Sequence, residues 1–108
     1  MIGFVKVGRA EDVPLLEGRT VRLGTRRFAI FRTPDGFHAL AGACPHRAGP
    51  LADGIVADSC VTCPLHGWRF DLRTGAGKGD HPGVDSYDVV VRDDELWLRV
   101  PEAVREAA

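Results

Sequence analysis

Two cysteines and two histidines, Cys44, His46, Cys63 and His66, stand in this chain as C-x-H, sixteen intervening residues, then C-x-x-H. Thiolates hold ferric iron firmly, and neutral imidazoles leave the iron they bind more positive. Two of each therefore suit a two-iron, two-sulfide cluster with thiolates on one iron and imidazoles on the other, at a higher potential than an all-cysteine cluster. The spacing lets each segment supply one ligand to each iron. Such a centre moves single electrons and makes or breaks no substrate bond. Pro45 and Pro64 stiffen the backbone between ligands, while Gly49 and Gly67 permit close approach or unusual dihedrals beside the metal.

The same residues admit a competing site. Cys44, Cys60 and Cys63 with either histidine could make a tetrahedral zinc set, with Cys60-Val61-Thr62-Cys63 as a knuckle-like C-x-x-C and the chain as a non-redox binding module. That arrangement requires Cys60 to point at the site. A strand ending at Cys63 would instead bury Cys60 as a small hydrophobe. A Cys60–Cys63 dithiol couple lacks the helix start that would lower a thiol pKa.

The elements that must position these ligands read as short strands. Phe4–Val7, Arg19–Leu23 and Arg26–Thr33 come first, and Pro34-Asp35-Gly36 turns the chain into Phe37–Ala43. Cys44 then opens a first ligand loop at about 44–54. Ile55–Ala57 and Cys60–Thr62, joined by Asp58-Ser59, lead into a second ligand region at about 60–70, and Trp68–Leu72 continues as a strand. Thr74–Gly83, with Gly75, Gly77, Gly79 and Gly83, reads as an irregular surface loop. Tyr87–Arg92 and Glu95–Val100 form a closing hairpin around Asp93-Asp94, and 101–108 is a polar tail with one frayed helical turn. The fold class is all-β, an antiparallel sandwich with a small cluster-binding subdomain of two loops.

Composition bounds the rest. With 108 residues, 44% of them hydrophobic, the expectation is a single domain over 1–108 with no room for a second catalytic domain. Fourteen basic residues against fifteen acids leave no charge signature for nucleic acid or an anionic membrane. Charge arrives at Lys6, too early for a signal peptide, and no window approaches the ~20 apolar residues of a membrane span. A cytoplasmic location is expected, and three cysteines interleaved with histidines favour metal ligation over a disulfide framework.

From about Val5 to Val100 the chain resembles a Rieske-type ferredoxin domain, on the strength of CPHRAGPLADGIV (44–56) and CPLHGWRFDLRTG (63–75). Within that family these segments are most similar to the small subunit of NAD(P)H-dependent assimilatory nitrite reductase, and ferredoxins of ring-hydroxylating dioxygenases share most of them. The resemblance implies one Rieske [2Fe–2S] cluster per chain, ligated by Cys44, His46, Cys63 and His66. It also implies electron transport, with nitrate assimilation the best-matched setting. The partner is then a reductase large subunit carrying flavin, iron–sulfur and sirohaem groups, or else a ferredoxin reductase and an oxygenase. Some nitrite reductase small subunits lack the ligands, so all four here imply an active centre.

Departures from other branches are informative. Respiratory Rieske proteins join the two loops by a disulfide, where this chain has Gly49 and Leu65. They also place serine and tyrosine hydroxyls as donors to the cluster and a ligand sulfur, where this chain has Trp68 and Phe70. Fewer donors to sulfur destabilise the reduced cluster, so a potential near the low end of the Rieske range, around −150 mV, is expected. In the family the ligand histidines expose one ring nitrogen, which marks His46 and His66 as the electron exit and docking surface, with histidine protonation coupled to reduction. His38 and His81 read as surface or turn residues, Trp68 and Trp97 as strand and core aromatics. Arg47 and Arg69 flank the ligands as solvated surface or docking aids.

Overall fold

The architecture follows from one strand. In the computed structural model, which describes residues 2–45, 48–65, 67–102 and 104, β3 spans Arg26–Thr33 as expected. Its residues Phe28, Ala29, Ile30 and Phe31 are all buried, so both of its faces are covered. Alternation then sends Ala29 and Phe31 into one hydrophobic core and Phe28 and Ile30 into another.

The central sheet has the order β2-β3-β4-β8, with β2 at Gly18–Leu23, β4 at Gly36–Ala41 and β8 at Ser86–Tyr87. A second sheet, β1-β10-β9, combines Phe4–Arg9, Glu95–Arg99 and Val89–Arg92. It packs Leu96 and Leu98 against the Phe28 side. A third sheet, β5-β6-β7, combines Ile55–Ala57, Cys60–Thr62 and Arg69–Asp71. It packs Val61 and Phe70 against the Phe31 side, in the same core as Cys44 and Cys63. All pairings of named strands are antiparallel. The expected all-β sandwich is present, with the ligand loops on the β5-β6-β7 layer.

The hairpin turns carry their expected chemistry. Asp58 and Ser59 have φ 54° and 60°, and Asp93 and Asp94 have φ 51° and 65°. Two successive left-handed residues give the turn whose twist matches the flanking strands. The expected single strand Tyr87–Arg92 is in fact two strands, because the chain leaves β4 after Tyr87 and joins β10 from Val89. Asp88 lies at the changeover, its carbonyl accepting from Arg99 N. Two short 3-10 turns, Ala10–Asp12 and Leu51–Asp53, were not legible as elements. In the tail Glu102 and Val104 are helical, and the rest of the expected turn lies outside the described residues.

Candidate metal centre

Cys44 follows β4 through an Ala43–Pro50 bridge, and its loop closes on itself. Ala48 N donates to the Cys44 carbonyl at 2.7 Å and Cys44 N donates to the Gly49 carbonyl at 2.9 Å. Arg27 Nη2 reaches across from β3 to the Ala48 carbonyl at 3.1 Å and latches this loop to the central sheet. The second loop closes likewise, Cys63 N donating to the Trp68 carbonyl at 2.7 Å, with Gly67 in the left-handed region at φ 73°. A Cβ on Gly49 would stand 2.9 Å from Leu65 Cδ1 and 3.5 Å from Cys63 Sγ, so the two loops touch there. The roles expected of Gly49 and Gly67 are therefore those observed. Gly49 and Leu65 are also the positions that the respiratory branch joins by a disulfide.

Cys44 and Cys63 are 1% and 2% exposed, neither in a disulfide, and their side chains interact. Burial pushes the Cys63 thiol up, the Leu65 N–H at 3.4 Å from its sulfur favours the thiolate, and the neighbouring Cys44 thiol opposes ionisation. Two adjacent buried thiols cannot both ionise without a cation between them. A ferric iron would supply that cation, and the Leu65 N–H lies within hydrogen-bond reach of one sulfur, so the donor set fits an iron–thiolate centre. His46 and His66 lie outside the described residues, as does Arg47. The structure thus brings together two of the four predicted ligands and the flanks of the other two.

Cys60 does not join them. Val61 and Cys63 face the core shared with Cys44, whereas Cys60, 4% exposed on β6, falls on the alternate face and is absent from that core. The zinc set needs Cys60 on the face of Cys63, and this alternation puts it on the other. No cluster of three or more metal-ligating side chains occurs among the described residues.

Thr74–Gly83 is irregular and mostly exposed, as expected, but it is not detached from the sheet. This segment folds back on β7: Lys78 N donates to Arg69 O at 2.9 Å, Asp71 N to Ala76 O at 2.9 Å, and Gly77 bridges to Phe70. His81, read as a surface or turn residue, stacks on Trp68 with centroids 4.5 Å apart and planes 9° apart, and meets Phe70 edge-on at 5.1 Å. Its Nδ1 lies 2.8 Å from the Pro82 carbonyl, so Nδ1 carries the proton. Trp68 is partly buried against the core that holds both cysteines. A third segment therefore braces the second ligand loop from behind. The available signal was glycine density: a Cβ at Gly75, Gly77 or Gly83 would press on backbone oxygens of Val84, His81 or Gly75 respectively.

Arg69 opens β7, exposed, opposite Thr62. Trp97 belongs to the closing hairpin in β10. His38 sits in β4 with Nε2 3.1 Å from Thr33 Oγ1, and burial, then the Arg73 charge, hold its pKa below 6.5 against Asp35 and Asp71.

Residues 3–95 match the Rieske [2Fe-2S] domain. The chain belongs to this family. As a Rieske protein it carries a [2Fe–2S] cluster and is an electron-transfer protein. It is 41% identical over 90 residues to the oxygenase component of dicamba O-demethylase from Stenotrophomonas maltophilia. That match covers 75% of this chain and 26% of the relative, so the chain spans about a quarter of that protein's length. Among solved structures, the ferredoxin of carbazole 1,9a-dioxygenase from Nocardioides aromaticivorans IC177 superposes with a TM-score of 0.83 at 28% identity, over 91% of this chain and 98% of that one. A protein assigned as the small subunit of an NADPH nitrite reductase superposes with a TM-score of 0.81, also at 28% identity, over 90% and 98%. No described helix is long and apolar enough to cross a membrane.

Proposed function

We propose that this Rieske protein is the electron-transfer subunit or ferredoxin component of a nitrite reductase-type NAD(P)H-dependent system, working in the cytoplasm as one domain over 1–108. Its cluster is held by Cys44 and Cys63 on one iron and by His46 and His66 on the other. The observation that carries the reading is the pair of adjacent buried thiols at the meeting point of two self-closed loops. When bound, the cluster supplies a one-electron carrier. The chain's own residues hold it still: the Arg27 latch fixes the first loop, the Leu65 N–H faces a sulfur, and the Trp68–His81 stack fixes the second loop. Phe70, fully buried in the same core, brings no hydroxyl to the sulfurs, which supports a potential at the low end of the family's range.

A second reading, a ferredoxin feeding a ring-hydroxylating dioxygenase, is favoured by the comparable superposition on a dioxygenase ferredoxin. Anaerobic purification with iron and sulfide analysis tests the centre. About two irons per chain, and a dithionite-reduced paramagnetic spectrum of low average g-value, are expected. Stoichiometric zinc without iron would overturn it. Voltammetry should give a midpoint around −150 mV, and a value in the upper half of the Rieske range would remove the argument from Trp68 and Phe70. Electron uptake from a nitrite reductase large subunit, set against uptake from a dioxygenase reductase, separates the two systems.

A further inference from the structure

Charge in this chain is segregated along its strands in a way that the net charge of −1 conceals. β3 begins at Arg26 beside the ligand loops, where Phe28 pairs with Ala41, and ends at Thr33 opposite Gly36. Its eight residues put about 23 Å between the two ends. Arg22, Arg26, Arg27, Arg69 and Lys78 gather at the end that holds the cluster. Arg22 and Arg27 face each other across β2 and β3. Arg27 is latched to the Cys44 loop, Arg69 pairs with Thr62 immediately before Cys63, and Lys78 is bonded through its backbone to Arg69.

None of these five cations forms an ion pair among the described residues. Every pair found there engages other cations: Lys6, Arg9, Arg19, Arg73 and Arg99. Among the described residues Asp71 lies within electrostatic reach of Lys78, and the Asp85 carbonyl accepts from Ala41 N at this end. The opposite end collects Glu11, Glu17, Asp35, Asp93 and Asp94 around the β3–β4 and β9–β10 turns, where Arg9, Arg19 and Arg73 neutralise Glu11, Glu17 and Asp35 and leave Asp93 and Asp94 outside any ion pair among the described residues. Directly opposed like charges such as Arg22 and Arg27 destabilise a sheet, so their unneutralised presence calls for a use.

We propose that the cluster end is a docking surface for a redox protein whose own electron-exchange site is rimmed by carboxylates. The proposal rests on the electron-transfer reading above and adds the chemistry of the partner. At about 0.1 M salt the Debye length is ~10 Å, shorter than any dimension of this 36 × 29 × 18 Å molecule. An approaching partner therefore feels the local cations and not the net charge. Carboxylates on a protein suit the surface better than a phosphate backbone does. The cations ring a redox site, two acids interrupt them, and the whole chain is slightly acidic.

The test uses the reduced holoprotein and two small oxidants of opposite charge, ferricyanide and tris(phenanthroline)cobalt(III). One electron leaves the reduced cluster, and ferricyanide becomes ferrocyanide or cobalt(III) becomes cobalt(II). As salt rises from about 0.01 to 0.15 M, the ferricyanide rate constant should fall severalfold and the cobalt rate constant should rise. Net charge alone predicts the reverse. The Arg69→Gln/Lys78→Gln double variant should lose most of this salt slope, whereas Asp93→Asn/Asp94→Asn should keep it. Poly-L-glutamate at low salt should slow the ferricyanide reaction. A ferricyanide rate that rises with salt, a slope unmoved by the Arg69/Lys78 variant, or duplex DNA competing better than polyglutamate would each overturn the proposal. A chain with no reducible cluster fails earlier, showing no bleaching with dithionite, and that result overturns the electron-transfer reading together with this one.

Discussion

At the scale of single residues, the site separates similarly buried cysteines by the face they occupy. Cys60 and Cys63 differ by three positions on a period-two element, and only Cys63 shares the core of Cys44. Cys60→Ser should leave about two irons per chain, by the stoichiometry of the cluster. It should cost roughly 1–3 kcal/mol in denaturant unfolding for a buried hydroxyl. Cys63→Ser should abolish the low-g spectrum. Metal analysis that showed the opposite pattern would reinstate Cys60 as a ligand. His38 gives a pH prediction. Its folded pKa lies below 6.5 through burial and the Arg73 charge, so the unfolded chain takes up the proton first as pH falls. The stability it contributes is complete above about pH 6.5 and declines below that until pH reaches the lower folded value. In denaturant titrations between pH 7 and 5, His38→Gln should show a shallower loss than the parent. An unchanged slope would remove His38 from the account.

At the scale of elements, the centre rests on three segments where two were expected. The C-x-H and C-x-x-H loops were legible because ligand types and turn formers are local properties. The third segment was not, because a run of glycines reads equally as a flexible loop or as a backbone packed too tightly for a Cβ. Contact between Gly75, φ 79°, and the Val84 carbonyl decides for the second. Gly75→Ala should therefore cost at least ~1–2 kcal/mol, the ordinary penalty for a left-handed non-glycine residue. It should also unseat His81 from Trp68, giving faster bleaching of the cluster in air. His81→Ala should speed bleaching with a smaller stability loss, and His81→Phe, which retains a stacking ring, should restore the parent rate. Equal bleaching rates for all variants would show that the brace does not protect the site.

For the whole molecule, β3 belongs to both cores, so the halves of the protein should not fail independently. Phe31→Ala acts in the core that holds the cysteines and Phe28→Ala in the other, each removing a fully buried ring. Each should cost about 3–5 kcal/mol, with loss of cluster colour and loss of strand signal coinciding during thermal unfolding in both variants. Colour loss preceding strand loss in Phe31→Ala alone would mean that the cluster core opens as a separate unit.

What the chain's sequence determined by itself was the chemistry and most of the strand map. A cysteine or histidine carries its ligand character wherever it stands. Alternating apolar runs bounded by Asp-Gly, Asp-Asp and Asp-Ser turns are read within a few residues of themselves, and β3, β5 and β6 were bounded correctly. Only the tertiary structure decided that the first and tenth strands pair, that Tyr87 and Val89 serve different sheets, and that Arg27 grips the Cys44 loop. It also decided that His81 lies on Trp68 and that five cations with no ion pair among the described residues share the cluster end. These are contacts between residues far apart in the chain, and no local pattern encodes the partner. They exist because burying both faces of β3 forces three sheets around it, and that packing sets which distant residues become neighbours.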